Sequence, residues 1–280
     1  MYKSINKGKR KKKIERTDDF ANTKILVIFF TLFVFLLPQD MTYAYGWGYK
    51  KNTDHTVPDV GKYGDIIKDY NAYYADHSGE KNIYVTFDNG YEQGYTDAIL
   101  DILKKEKVPA TFFVTGHYVE SAPELIQRMA NEGHIIGNHS YTHPDFTTMS
   151  KQTIKKELDT LEKAVHEVTN TDYQMQYLRP PRGTFNDNTL KWSSELGYIH
   201  VFWSIAFKDW HTEGQKGWKY AYKEVMDQIH PGAILLLHAV SSDNAEALEQ
   251  IIKDLKEQGY TFKSLDDLVI KDQLPHFMNW

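Results

Sequence analysis

The sequence predicts an α/β fold whose parallel sheet wraps into a (β/α) barrel, and three observations predict it. From residue 81 onward, short apolar runs alternate with longer amphipathic stretches, the pattern of parallel strands joined by crossover helices. Seven such units fit into about 190 residues, which suits a ring better than an open sheet. The polar, chemistry-bearing side chains gather where the apolar runs end. Barrel enzymes build their sites there, at the C-terminal ends of the strands.

Taken in order, NIYVTF (82–87) reads as a strand before a helix at 95–106, and ATFFVT (110–115) as a strand before a helix at 122–132. HIIGN (134–138) precedes a long helix at 150–169, and YLRP (177–180) precedes 187–196. HVFWSI (200–205) leads to 219–229, AILLLH (233–238) to 244–258, and YTF (260–262) to a last helix near 264–270. Residues 45–80 are rich in Gly, Tyr and Asp with little periodicity. They are expected as an irregular lead-in packed on a catalytic domain of residues 81–272, with 273–280 as a C-terminal tail.

The first 44 residues differ in kind. Residues 1–24 carry nine Lys and Arg against three acids, and Ile25 to Leu37 is an apolar run of thirteen residues broken only by Thr31. A bilayer-spanning helix needs about twenty residues. A basic stretch, a shorter apolar run, then Pro38 and the small Ala44 match an export signal, either cleaved or kept as an N-terminal anchor over residues 25–37. The expected location is the cell envelope or the exterior, with membrane contact confined to that run. Removing residues 1–44, with nine bases and four acids, leaves 24 bases against 34 acids. A body that acidic lacks the clustered positive charge that nucleic-acid binding requires. The chain has no cysteine, so disulfides are excluded and a metal would need N and O ligands.

The strand ends carry candidate chemistry. TFDNG puts Asp88 and Asn89 at the close of the first run, with Gly90 free to let a backbone approach a ligand. HSYTH holds His139 and His143 four apart, a spacing that on a helical turn lets two imidazoles share one ion. In isolation such a pair is more often two solvated histidines; the strand-end position reverses that. RPPRG is a loop stiffened by two prolines and bracketed by Arg179 and Arg182. Asp209 and Trp210 follow the fifth run, and His238 ends the sixth. A carboxylate beside an imidazole raises its pKa for acid work. His117 and His211 have no such support and remain unassigned.

TFDNG, HSYTH, RPPRG, Asp209-Trp210 and LLH, in this order, resemble the five motifs of the polysaccharide deacetylases, the NodB-homology group or carbohydrate esterase family 4. The resemblance spans about residues 80–270. TFDNGYE, TFFVTGHY, GHIIGNHSYTHPDF, LRPPRG, FWSIAFKDW and HPGAILLLH look most like the delta-lactam-biosynthetic de-N-acetylases. It implies a distorted (β/α) barrel and metal-dependent removal of acetyl from an N-acetylated sugar. Asp88 is then the general base, His139 and His143 hold a divalent ion with zinc the first choice, and His238 is the acid. Arg179 and Asp209 orient, with Asp209 the partner of His238. Arg182, Trp210 and Gly90 meet the substrate, and the Arg182 N–H helps bind the oxyanion.

Two positions depart from the family pattern. Asn89 stands where a second Asp is usual, so as a metal ligand it brings no charge. Arg182 stands where a Tyr is usual, and a cation there suits the lactyl carboxylate of N-acetylmuramic acid. The expected function is deacetylation of N-acetylmuramic acid in a peptidoglycan glycan strand, leading to the muramic δ-lactam of spore cortex. The alternatives are a deacetylase of N-acetylglucosamine polymers and a catalytically silent wall-binding protein.

Overall fold

A computed structural model describes residues 43–172 and 174–273, together with Met1. Along the chain lie β1 (Tyr45–Gly46), α1 (Lys62–Ile67), β2 (Ala72–Tyr73), β3 (Asn82–Asn89), α2 (Thr96–Glu106), β4 (Ala110–Val114), α3 (Gly116–Ser121), α4 (Pro123–Asn131) and β5 (Ile135–Asn138). These are followed by α5 (Lys151–Thr169), β6 (Tyr177–Leu178), β7 (Thr184–Phe185), α6 (Asp187–Glu195), β8 (Ile199–Val201), α7 (Trp218–Met226), β9 (Ala233–His238), α8 (Ser242–Glu257), β10 (Thr261–Phe262) and α9 (Leu265–Gln273).

β3 is buried at all eight positions, as a strand covered on both faces must be. It pairs in parallel with β4 and with β9, and its first residues also pair with β10. The sheet runs on from β4 through β5, β6 and β8 to β2, every pair parallel. Beyond β8 the chain reaches β9 through one parallel bridge, Ile205 to Leu235, reinforced by Leu236 N–H donating to Ile205 O at 2.9 Å. The result is the distorted (β/α) barrel that the sequence predicts, its ring closed there by that bridge and by an antiparallel one between Ala75 and Ala233.

Alternation along β3 sorts its side chains. Ile83, Val85 and Phe87 join the helix-side core with Leu100, Phe112, Leu158 and Ile252. Tyr84 joins the other cluster with Phe113, Ile135, Tyr177, Val201 and Ile234. Asp88 follows Tyr84 and Thr86 onto the inner face, while Asn89 follows Phe87 outward. The helices show the same economy of signals. In α5, Ile154, Leu158, Leu161 and Val165 form one buried stripe. Ser150 caps its start by accepting from Thr153 N–H, a contact of about 1 kcal/mol.

Several expected elements shift. The helix expected at 122–132 is found as α4, opened by Pro123, and a short helix that was not expected, α3, precedes it with Thr115 as its cap. The strand expected at 200–205 ends at Val201, since the chain leaves the β8 ladder before bridging to β9. The lead-in is less irregular than expected: β1 pairs with β7, and β2 extends the sheet beside β8. The apolar run 25–37, with nearly all of the expected signal or anchor (1–44) and tail (273–280), lies outside the described residues. Among the described residues no helix is long and apolar enough to cross a membrane.

Candidate active site

The end of β3 delivers Asp88 into a nearly closed polar cluster. Its Oδ1 accepts from Arg179 Nη1 at 2.8 Å, and its Oδ2 lies 3.5 Å from His139 Nε2. Arg179 is fully buried just after β6 and is fixed on three sides. Its Nε donates to Val201 O at 2.9 Å, its Nη2 reaches Phe202 O at 3.4 Å, and its guanidinium lies 4.2 Å over the Phe113 ring. Phe113 can lie there because residue 137 is glycine: a Cβ would come within 2.5 Å of its ring. Burial alone would raise the Asp88 pKa, but Arg179, with His139 and His238, outweighs it and holds the carboxyl below its ordinary value.

His139 follows β5 and places Nδ1 2.8 Å from the Arg179 carbonyl. A carbonyl only accepts, so Nδ1 carries the proton and Nε2 presents a lone pair. The loop after it is not the helical turn expected from the i, i+4 spacing. Ser140 and His143 adopt left-handed φ values of 64° and 56°. Asn138 explains the first, accepting Ser140 N–H at 2.9 Å on Oδ1 while its Nδ2 donates to Leu158 O. Ser140 Oγ then accepts His143 N–H at 3.0 Å. The two imidazoles meet edge to face, 4.8 Å between ring centres. Burial keeps both neutral at pH 7, with His143 down to about 4.

On the far side, β9 ends in His238, whose Nδ1 donates to Asp209 Oδ1 at 2.7 Å. Asp209 Oδ2 also accepts from His238 N–H at 2.8 Å and from Asn244 Nδ2 at 2.6 Å. Burial opposes a charge on His238, but Asp209 more than compensates and raises its pKa above 6.5. Asn244, in the first turn of α8, was not legible as a site residue, because after Ser241 it reads only as part of a helix start.

A cleft of roughly 720 Å³ joins these groups. Asp88, Gly90, His139, His143, Arg182, Trp210 and His238 all line it. Trp210, 48 % exposed, lies 5.7 Å from the His238 ring. Arg182 sits at φ 61° on the RPPRG turn, whose bonds run from Gly183 N–H to Pro180 O and from Thr184 N–H to Pro181 O. Neither bond uses the Arg182 N–H. Tyr91, Tyr141 and Trp203 also border the cleft, and the unassigned His117 joins them.

Asn89 is not brought into this group. It does not line the cleft, it is fully buried, and neither amide atom makes a hydrogen bond, although the side chain faces the Tyr118 hydroxyl. Asp88 is engaged by Arg179, and among the described residues no cluster of three or more His, Asp or Glu is disposed around a metal. The pair that fits a divalent ion is His139 and His143. Both are neutral, and the His139 ring is oriented by a carbonyl as metal-binding imidazoles are.

The polysaccharide deacetylase family matches residues 75–201. The chain is 54 % identical over 229 residues to the peptidoglycan-N-acetylmuramic acid deacetylase PdaA of Bacillus subtilis, covering 81 % of this chain and 87 % of that protein. The solved structure of Bacillus subtilis PdaA, a family 4 carbohydrate esterase, superposes with a TM-score of 0.80 at 52 % identity, covering 85 % of this chain and all of that one. A peptidoglycan-N-acetylglucosamine deacetylase of Bacillus cereus is 31 % identical over 206 residues, 72 % of this chain and 73 % of that protein.

Proposed function

This chain belongs to the polysaccharide deacetylase family, and we propose that it hydrolyses the N-acetyl group of N-acetylmuramic acid in peptidoglycan. The carrying observation is Arg182, an exposed cation on the cleft rim where the resemblance has a phenol. N-Acetylmuramic acid carries a lactyl carboxylate that N-acetylglucosamine lacks, and a guanidinium pairs with a carboxylate in a two-point geometry. The similarity to PdaA supports the same choice.

The residues divide the work by their protonation. Asp88, held ionised by Arg179, takes a proton from the water that attacks the acetyl carbon. The Arg182 N–H faces the oxyanion that forms. When the C–N bond breaks, His238 gives its proton to the departing sugar nitrogen, and Asp209 steadies the imidazolium until then. Acetate leaves from the carbon side. A divalent ion on His139 and His143, zinc the first candidate, would lower the pKa of water and share the oxyanion charge. The freed amine and the lactyl carboxyl of the same sugar would then condense with loss of water to the δ-lactam, the spore-cortex product. The basic and apolar segments before Tyr43 serve export to the cell envelope in this reading, with or without cleavage.

The test uses the full chain, stripped with chelator and re-supplied with single metals, on peptide-free glycan strands of both sugars. Mass analysis of separated products should show acetyl lost from the muramic residues and no product with Asp88→Asn. Acetyl lost from the glucosamine residues instead would move the chain to the other substrate. No loss with any metal would make it a silent wall-binding protein.

A further inference from the structure

Ahead of the sheet, Tyr45 to Tyr49 touch both loops that border the cleft. β1 lies antiparallel to β7, with Tyr45 opposite Phe185 and Gly46 opposite Thr184. Trp47 then donates its main-chain N–H to Gly183 O at 2.8 Å. Its indole stacks on Phe202, 4.4 Å between ring centres and 21° between planes, and its Nε1–H donates to Trp203 O at 3.0 Å. Two residues on, the Tyr49 hydroxyl accepts from Ala206 N–H at 2.7 Å and lies 2.9 Å from Gln228 Oε1, to which it donates. Ala206 is three residues before Asp209.

The loop so held needs holding. Arg182 sits at φ 61° and ψ 5°, a conformation that is costly for a non-glycine residue and persists only where its surroundings over-determine it. The turn contributes two main-chain bonds of its own. Gly183, at φ 65°, has no room for a side chain: a Cβ would stand 2.8 Å from Trp203 Cη2 and 3.4 Å from Trp47 Cβ. Trp47 also stacks on the residue whose carbonyl receives Arg179 Nη2.

We propose that Tyr45–Tyr49 is a strap that positions both rims of the cleft, Trp47 acting on Arg182 through Gly183 and Tyr49 acting on the Asp209 loop through Ala206. Trp47 does not line the cleft and touches no reacting atom; it is a positioning residue. A chain shortened past residue 49 would keep every catalytic residue and lose the brace. The inference rests on the proposed deacetylation for its kinetic readout alone.

The test compares the full chain with Trp47→Ala, Trp47→Phe and Tyr49→Phe by hydrogen exchange without substrate and by kcat and KM on glycan strands. In Trp47→Ala, amides of residues 183–185 should exchange at least about ten-fold faster while β4 and β5 are unchanged. A misplaced contact residue should lower kcat/KM on the order of ten- to a hundred-fold. Trp47→Phe keeps the ring stack and should recover most of that loss. Tyr49→Phe removes one oxygen and should speed exchange at residues 204–210 and lower kcat. Wild-type exchange over 183–185 in Trp47→Ala would overturn the proposal, and so would a uniform loss of protection across β3 to β5. If Trp47→Ala does not fold, unchanged exchange and kinetics in Tyr49→Phe overturn it. Exchange is read without any sugar, so a wrong substrate assignment leaves this result intact.

Discussion

His139 Nδ1 lies 2.8 Å from the carbonyl oxygen of Arg179, the residue whose guanidinium binds Asp88. One buried residue therefore aims the His139 imidazole through its main chain and holds Asp88 ionised through its side chain.

Removing that side chain should be costly. Arg179→Met leaves Asp88 buried and unpaired, which should lower stability by about 3–5 kcal/mol and abolish turnover. Arg179→Lys keeps the charge but not the three-way fork, and should fall between the two. Chemical denaturation beside an activity assay checks both; a Met variant as stable as wild type would show that the pair is not needed for folding.

Asp209→Asn should change the pH profile as well as the rate. The His238 pKa is raised by Asp209 against the effect of burial, so the donor is charged below that raised value and activity falls as pH rises through it. Without the carboxylate, burial is left as the largest influence and the pKa should fall. The high-pH limb should move to lower pH, with kcat down on the order of 10²–10⁴-fold. By the same sign, the pair's contribution to stability is complete below pH 6.5 and lost as pH rises through the folded-state pKa. A variant with an unmoved limb would remove His238 from the acid role.

Arg182→Ala should discriminate between sugars. A lost charge-assisted hydrogen bond is worth about 1.5–3 kcal/mol, so kcat/KM on muramic substrates should fall roughly ten- to a hundred-fold. Turnover of glucosamine oligomers should change far less. Equal losses on the two would place Arg182 in general catalysis and not in substrate choice.

Asn89→Asp asks where that side chain points. In chelator the new carboxylate would be buried beside the Glu92–Tyr118 hydrogen bond, and stability should fall by about 1–3 kcal/mol, more at high pH than at low. Denaturant titration measures it. Recovery of the loss on adding zinc would show that position 89 reaches the ion after all.

Much of this site was legible because polar residues interrupt long apolar runs at the strand ends, and a parallel barrel collects such ends on one face. Asn89 was expected beside Asp88 as a metal ligand, but the alternation along NIYVTFDN carries it with Phe87 to the other face. The HSYTH loop was not legible: its shape depends on the Asn138 side chain, and spacing alone suggested a helical turn. Asn244 lies 35 residues from Asp209, and nothing local announces that contact. β1, β2 and β7 are two-residue strands, too short to show a period, so the pairing of the lead-in with the RPPRG turn could not be read.

The seam between Ile205 and Leu235 divides the site as well as the ring. Asp209 hangs from one lip of that seam and His238 from the other, so their hydrogen bond works as a clasp across it. Asp88 lies on, and His139 just beyond, multi-residue ladders that run unbroken from β9 through β3 and β4 to β5. The site thus sets Asp88 and His139 on a continuous sheet against an Asp209–His238 pair that spans its seam.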